Sequence, residues 1–122
     1  MPLTHEAPSF SNAVTALGPG FVVIGQQRHS TPLVVMAERL LSPWLVGDPA
    51  LPTAEDFAPV LEMAPELVLF GCGAVFRFPD QRIPMAFYQR RIGFEVMDTA
   101  AACRTFNLLA AEGRHVAAAL LV

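Results

Sequence analysis

Short apolar runs alternate with glycine- and proline-rich breaks along most of this chain, and the runs change character half-way. After a loose terminus over residues 1–8, Ser9 to Leu17 mixes apolar and small polar positions and predicts an edge strand. Gly18-Pro19-Gly20 is a strong turn signal, and Phe21-Val22-Val23-Ile24 reads as a strand. Gly25-Gln26-Gln27 permits a turn, and Leu33-Val34-Val35-Met36 reads as the hairpin partner, with Pro32 at its first position. Leu41 to Pro52 carries three prolines, a glycine and the only tryptophan, Trp44, and reads as a loop pinned by an aromatic anchor.

Helical spacing begins at Phe57, with Val60, Leu61 and Ala64 at i, i+3, i+4, i+7. Either Thr53 or Asp56 starts it: Thr53 as cap sets Pro59 inside the helix at the cost of a hydrogen bond, whereas Asp56 as N-cap puts Pro59 in the first turn, where its missing N–H is harmless; Pro65 ends the helix. Leu67-Val68-Leu69-Phe70 is a continuous apolar run, as in a strand covered on both faces. Asp80 caps a second helix with Ile83, Ala86 and Phe87 inward, Arg90 and Arg91 in its last turn, and Gly93 closing it. Phe94 to Met97 is a strand, Thr99 to Glu112 a helix, and Val116 to Val122 another buried strand. The second half is β-α-β-α-β, which builds a parallel sheet. The expected fold class is α/β: a three-layer single domain over residues 9–122, with a central mixed β-sheet and an N-terminal β-hairpin.

Composition narrows the function classes. Of 122 residues, 53% are hydrophobic, enough for a core without staples. The net charge is −3 and only 16% of residues are charged, so no basic face for nucleic acid is expected. No apolar run approaches the ~20 residues of a membrane span. The chain has no lysine; all eight positive side chains are arginines. Schiff-base chemistry through a protein lysine is excluded, and so is a lysine-bearing phosphate loop. Arginine clamps anions but shuttles protons poorly. Met1 to Gln27 carries no lysine or arginine, so a cytoplasmic location with both thiols reduced is the expectation. His5, His29 and His115 show no metal spacing, with His29 placed in a hairpin turn, and neither a metal nor a cofactor is expected.

Several blocks carry a family resemblance: Gly18-Pro19-Gly20-Phe21, Pro65 to Gly73, Phe78-Pro79, and above all Ile92 to Thr99, Cys103 to Asn107 and Ala111 to Arg114. In these the chain resembles the uncharacterised α/β domain family that includes mitochondrial complex I assembly factor 3. The resemblance implies a three-layer domain with a mixed sheet and a partner-binding role, and implies no reaction. Two positions depart from the family pattern: Gly71-Cys72-Gly73 replaces a Gly-Thr-Gly, and Phe106 replaces a tyrosine.

The candidate site lies where strands end. Gly71, Cys72 and Gly73 follow one strand, and Asp98 and Thr99 join the next strand to its helix. Ligands of α/β proteins favour such carboxyl ends. Each candidate has two readings. Asp98 or Thr99 is a helix cap, or the helix start binds an anion. Cys103 faces the core, or is a thiolate activated near the helix start and Arg104. Cys72 sits in a structural turn, or pairs with Cys103 as a redox couple. Arg104 forms an ion pair with Glu95 or Asp98, or holds a bound anion, with Arg77 as a second cation. Thr105 and Asn107 join the same network or face solvent.

Three functions follow. The preferred one is a non-enzymatic protein-binding or assembly factor with a protein partner, in the manner of a respiratory-complex assembly factor. The second is a small-molecule or anion-binding protein, with thiol-dependent enzymes included, whose pocket is lined by Gly71 to Gly73, Asp98, Cys103 and Arg104. The third is self-association as a homo-oligomer through apolar hairpin edges such as Phe21 to Ile24.

Overall fold

Two sheets and three helices build the computed structural model, which describes residues 10–122. The expected loose terminus, residues 1–8, lies outside the described residues. β1 (Val14–Gly18), β2 (Phe21–Ile24) and β3 (Gln27–His29) form a small antiparallel sheet in the order β1-β2-β3. β4 (Leu33–Met36), β5 (Arg39–Leu41), β6 (Leu67–Gly71), β7 (Gly93–Met97) and β8 (Val116–Leu120) form the central mixed sheet, in the order β5-β4-β8-β6-β7. β6 is parallel to both β7 and β8, while β4 is antiparallel to β5 and β8. α1 (Ala58–Met63), α2 (Arg82–Tyr88) and α3 (Thr99–Ala111) complete the domain.

The hairpin differs from the sequence expectation in its partner. β2 turns through Gly25 and Gln26 and pairs with β3, Ile24 opposite Gln27, rather than with Leu33–Met36. Gly25 has φ +62°, the left-handed backbone that a two-residue hairpin turn requires. β4 is buried at all four positions, so it belongs inside the large sheet between β5 and β8. Phe21–Ile24 is therefore the middle strand of the small sheet and offers no free edge for self-association. His29 lies at the end of β3, not in a turn; it is buried, with Nδ1 2.7 Å from the Ser42 hydroxyl.

Strand alternation divides the core between the two faces of the large sheet. Val34, Met36, Val68, Phe70, Phe94, Ala117 and Ala119 face α1 and α2. Leu33, Val35, Leu69, Ala118 and Leu120 face α3 and the small sheet. On the first face Phe57 touches Trp44, Phe70, Phe87 and Phe94 edge-on or near it, with centroids 5.0, 5.3, 6.0 and 5.9 Å apart. Trp44 is the anchor of its loop: it is buried and its Nε1–H donates to the Asp56 carbonyl at 2.7 Å.

Helix ends account for the remaining differences. Thr53, not Asp56, precedes the first helical residues, a 3-10 turn over Ala54–Phe57 that runs into α1. Asp56 reaches back instead, its Oδ2 accepting the Thr53 N–H at 2.8 Å. Pro59 still falls at the start of α1, where no N–H is missed. Ala64 is exposed and left-handed at φ +49°, and Met63 takes the inward place expected of it. After α2, Arg91 adopts φ +59° and closes the helix; Gly93 opens β7.

Candidate functional site

The parallel register brings the ends of three strands to one rim, with Gly71 opposite Met97 on one side and Leu120 on the other. The residues beyond that rim tie one another down. Cys72 N–H donates to the Met97 carbonyl at 2.8 Å, and Leu121 N–H donates to the Gly71 carbonyl at 2.9 Å. The buried Thr99 hydroxyl donates to the Leu121 carbonyl at 2.6 Å and accepts the Gly73 N–H at 3.0 Å. Thr99 N–H returns a bond to the Gly73 carbonyl at 2.9 Å. Asp98 is the N-cap, its carboxylate accepting the Ala101 N–H at 2.8 Å. The glycines serve this packing. A Cβ on Gly71 would lie 2.8 Å from a Leu120 methyl and 3.1 Å from the Thr99 Cα, and Gly73 has φ +113°.

These bonds occupy the Thr99 and Ala101 N–H groups at the start of α3, two of those an anion would need. A groove of about 260 Å³ runs between the β1–β2 turn and the start of α3, and its polar side chains, Asp98 and Thr99, already have partners. The hydroxyl at this rim comes from Thr99, so cysteine in place of threonine at position 72 leaves it intact. Phe106, in place of the family's tyrosine, is buried on the α3 face with no polar atom to satisfy.

The two thiols sit on opposite faces of the sheet. Cys72 packs on the α1–α2 side, whereas Cys103 is buried in the α3 side, so no redox pair forms. Burial pushes the Cys103 thiol up to about 11, against a smaller opposing effect of Arg104. That is the reverse of an activated thiolate. Cys72 Sγ accepts the Arg77 N–H at 3.2 Å and faces the Val75 carbonyl at 3.6 Å. Cys72, Arg77 and Asp80 border a cavity of only about 60 Å³, far below the several hundred Å³ of a metabolite pocket. The Arg77 guanidinium donates to the Ala50 carbonyl at 3.1 Å and stays exposed.

Arg104 departs from expectation. It is exposed, and the ion pairs among the described residues are Arg82–Asp80 at 2.7 Å and Arg114–Glu66 at 3.4 Å, so Arg104 pairs with neither Glu95 nor Asp98. An outward position on the helix leaves its charge to water. Asn107 turns inward to the backbone of Val14. Among the described residues no group of three potential ligands could hold a metal ion, and no helix is long and apolar enough to cross a membrane.

Sequence reasoning passed over the most unusual surface. Val75, Phe76, Phe78, Met85 and Tyr88 are all exposed, with Phe78 at 77%. The rings of Phe76 and Phe78 meet edge-on at 4.8 Å. Phe78, Pro79, Pro84 and Tyr88 then line a groove of about 650 Å³ alongside Phe94, Glu95 and Val96 of β7. The signal was present as Val75-Phe76-Arg77-Phe78-Pro79, an apolar run that belongs to no strand or helix.

Comparison with known proteins places this architecture. NADH dehydrogenase (ubiquinone) 1 alpha subcomplex assembly factor 3 of Bos taurus is 38% identical over 121 residues, which is 98% of this chain. The chain spans 65% of that protein's length. An uncharacterised protein of Rhodobacter capsulatus is 33% identical over 123 residues, covering 98% of this chain and 93% of its own. The solution structure of a Bordetella pertussis protein described as an Mth938-like domain superposes with a TM-score of 0.81 at 31% identity, covering 99% of this chain and 92% of that one. Residues 14–121 match the family model described as protein of unknown function DUF498/DUF598, and the chain belongs to that family.

Proposed function

We propose that this protein is a non-enzymatic binding factor that assists assembly of a respiratory complex of the NADH:ubiquinone oxidoreductase type. One observation carries the reading: the exposed run Val75, Phe76 and Phe78, with the Phe76 and Phe78 rings in contact, leads into the groove that Phe78 and the exposed Tyr88 line beside β7. Large exposed apolar patches rimmed by polar residues mark interaction sites, and aromatic side chains dominate binding energy at interfaces. Similarity to an assembly factor supports the same direction. At the strand-end rim the Asp98 and Thr99 side chains are engaged with backbone groups, which supports a binding role over a catalytic one.

The test is deletion of the gene in its native host. Membranes of the deletion strain lose most of their NADH:ubiquinone reductase activity and accumulate partly assembled complex; a normal level of assembled complex would overturn the proposal. The wild-type gene restores assembly, and a variant with Val75, Phe76 and Phe78 each replaced by serine does not, although it folds normally. Full restoration by that variant would remove the apolar face from the function.

A further inference from the structure

β7 is an edge of the large sheet, and among the described residues it pairs only with β6. Its hydrogen-bonding groups alternate between the two sides. Gly93 N–H donates to the Glu66 carbonyl at 3.0 Å and the Met97 carbonyl accepts Cys72 N–H at 2.8 Å, so residues 93, 95 and 97 turn their backbones toward β6. Phe94 and Val96 turn theirs outward. Among the described residues, the only side chain bonded to that outer row is Tyr88, whose hydroxyl donates to the Phe94 carbonyl at 3.2 Å. Tyr88 is itself exposed, so an incoming strand can displace it. The groove of about 650 Å³ lies on the same side, and apart from Gln81 its walls beyond β7, Phe78, Pro79, Pro84 and Tyr88, are apolar or aromatic.

We propose that the outer edge of β7 receives one extended segment of a partner protein, with the pattern apolar–basic–apolar, as an added strand. This rests on the partner-binding reading and names its mode. Charge decides the occupant. Glu95 is exposed, and it makes no ion pair within the described residues. Its side chain points to the sheet face opposite Phe94 and Val96. An arriving strand therefore sets one residue against Glu95 and the two flanking residues against the groove. A second copy of this chain is a poor occupant. The one two-fold register that uses both outward residues pairs Phe94 with the partner Val96, and it sets Glu95 directly against Glu95. Like charges directly opposite destabilise a strand pair, whereas a basic residue there stabilises it. Main-chain bonds then give affinity and alternate side chains give selectivity.

The probe is a capped seven-residue peptide, threonine-valine-phenylalanine-arginine-valine-threonine-threonine, added to the ¹⁵N-labelled full chain. Binding slows amide exchange of Phe94 and Val96 at least fivefold. The arginine peptide binds at least fivefold tighter than the same peptide with central glutamate, and N-methylation of its alternate amides abolishes binding. Glu95→Arg reverses the ranking and Glu95→Gln erases it, with both variants checked for native circular dichroism. Equal binding of both peptides, or no protection of Val96, overturns the inference, as does protection of Val96 by dimerisation without peptide. Any of these results, together with loss of assembled complex in the deletion strain, refutes the added strand alone; a normal level of assembled complex in that strain refutes the partner-binding reading instead.

Discussion

Asn107 on α3 and Val14 on β1 are joined by two hydrogen bonds: Val14 N–H donates to Oδ1 at 2.9 Å, and Nδ2–H donates to the Val14 carbonyl at 2.8 Å. The side-chain amide thus imitates a neighbouring strand where the β1–β2 register is irregular, between Val14 and Ala16. It fastens the small sheet to α3 across 93 residues of sequence. Replacing Asn107 with alanine strands both Val14 groups in a half-buried setting, so unfolding free energy falls by about 2 kcal/mol. Asn107→Asp keeps the acceptor and loses the donor, and it is destabilised as well. Urea unfolding measures the loss, and hydrogen exchange shows it concentrated in β1 and β2. A loss spread evenly over the chain would mean that Asn107 does not act as this clamp.

Thr99 serves both the chain beyond β6 and the chain beyond β8 with one hydroxyl. Thr99→Val preserves shape and leaves the Gly73 N–H and Leu121 carbonyl without this partner, at a cost of about 2–3 kcal/mol. Thr99→Ser keeps the hydroxyl and costs less than about 1 kcal/mol. Denaturant midpoints of the two variants decide between them. A larger loss in Thr99→Ser than in Thr99→Val would show that the methyl group, not the hydroxyl, matters here.

Cys103 does not react in the folded protein. At pH 7.5 iodoacetamide alkylates Cys72 alone, and both thiols react only after denaturation; peptide mass spectrometry reads the outcome. Native-state alkylation of Cys103 at that pH would contradict its burial. The folded thiol titrates near 11 against an ordinary 9.0, so the folded state holds its proton longer than the unfolded chain. This contribution to stability is complete below pH 9 and is lost as pH rises to about 11. Cys103→Ala removes that alkaline component of the stability profile.

Asp80 stays ionised to strongly acid pH. The Arg82 side chain, then the Arg82 N–H, hold its carboxyl down to about 2 from an ordinary 3.8. Its contribution is present above pH 3.8 and vanishes as pH falls through 2. An NMR titration of the Asp80 carboxyl follows this directly, and Arg82→Gln moves the midpoint upward. An unchanged midpoint in that variant would rule out the ion pair as the cause.

Local pattern carried far into this structure. Leu67–Phe70, Phe94–Met97 and the run from Val116 are strands because each is apolar, bounded by breakers and spaced for crossover helices. Asp98 caps α3 because a short carboxylate can reach an N–H three residues on. The partner of Phe21–Ile24 was not legible, because strand pairing depends on which strand the core accepts. Four buried positions drew Leu33–Met36 into the large sheet and left polar Gln27–His29 for the hairpin. The state of Arg104 was equally hidden: a helix position specifies a face, but not what lies within 4 Å of it.

The sequence by itself determined the α/β class, the β-α-β-α-β half, the capped start of α3 and the family. The first three follow from contacts between near neighbours or from periodicity, and the family from the resemblance of its sequence blocks. Only the tertiary structure decided that Cys72 and Cys103 lie on opposite faces of one sheet. It also turned the strand-end rim into a hydrogen-bonded knot and brought Phe78, Tyr88 and the outer edge of β7 to one groove. Such relationships depend on strand order, and strand order is set by how the whole core packs.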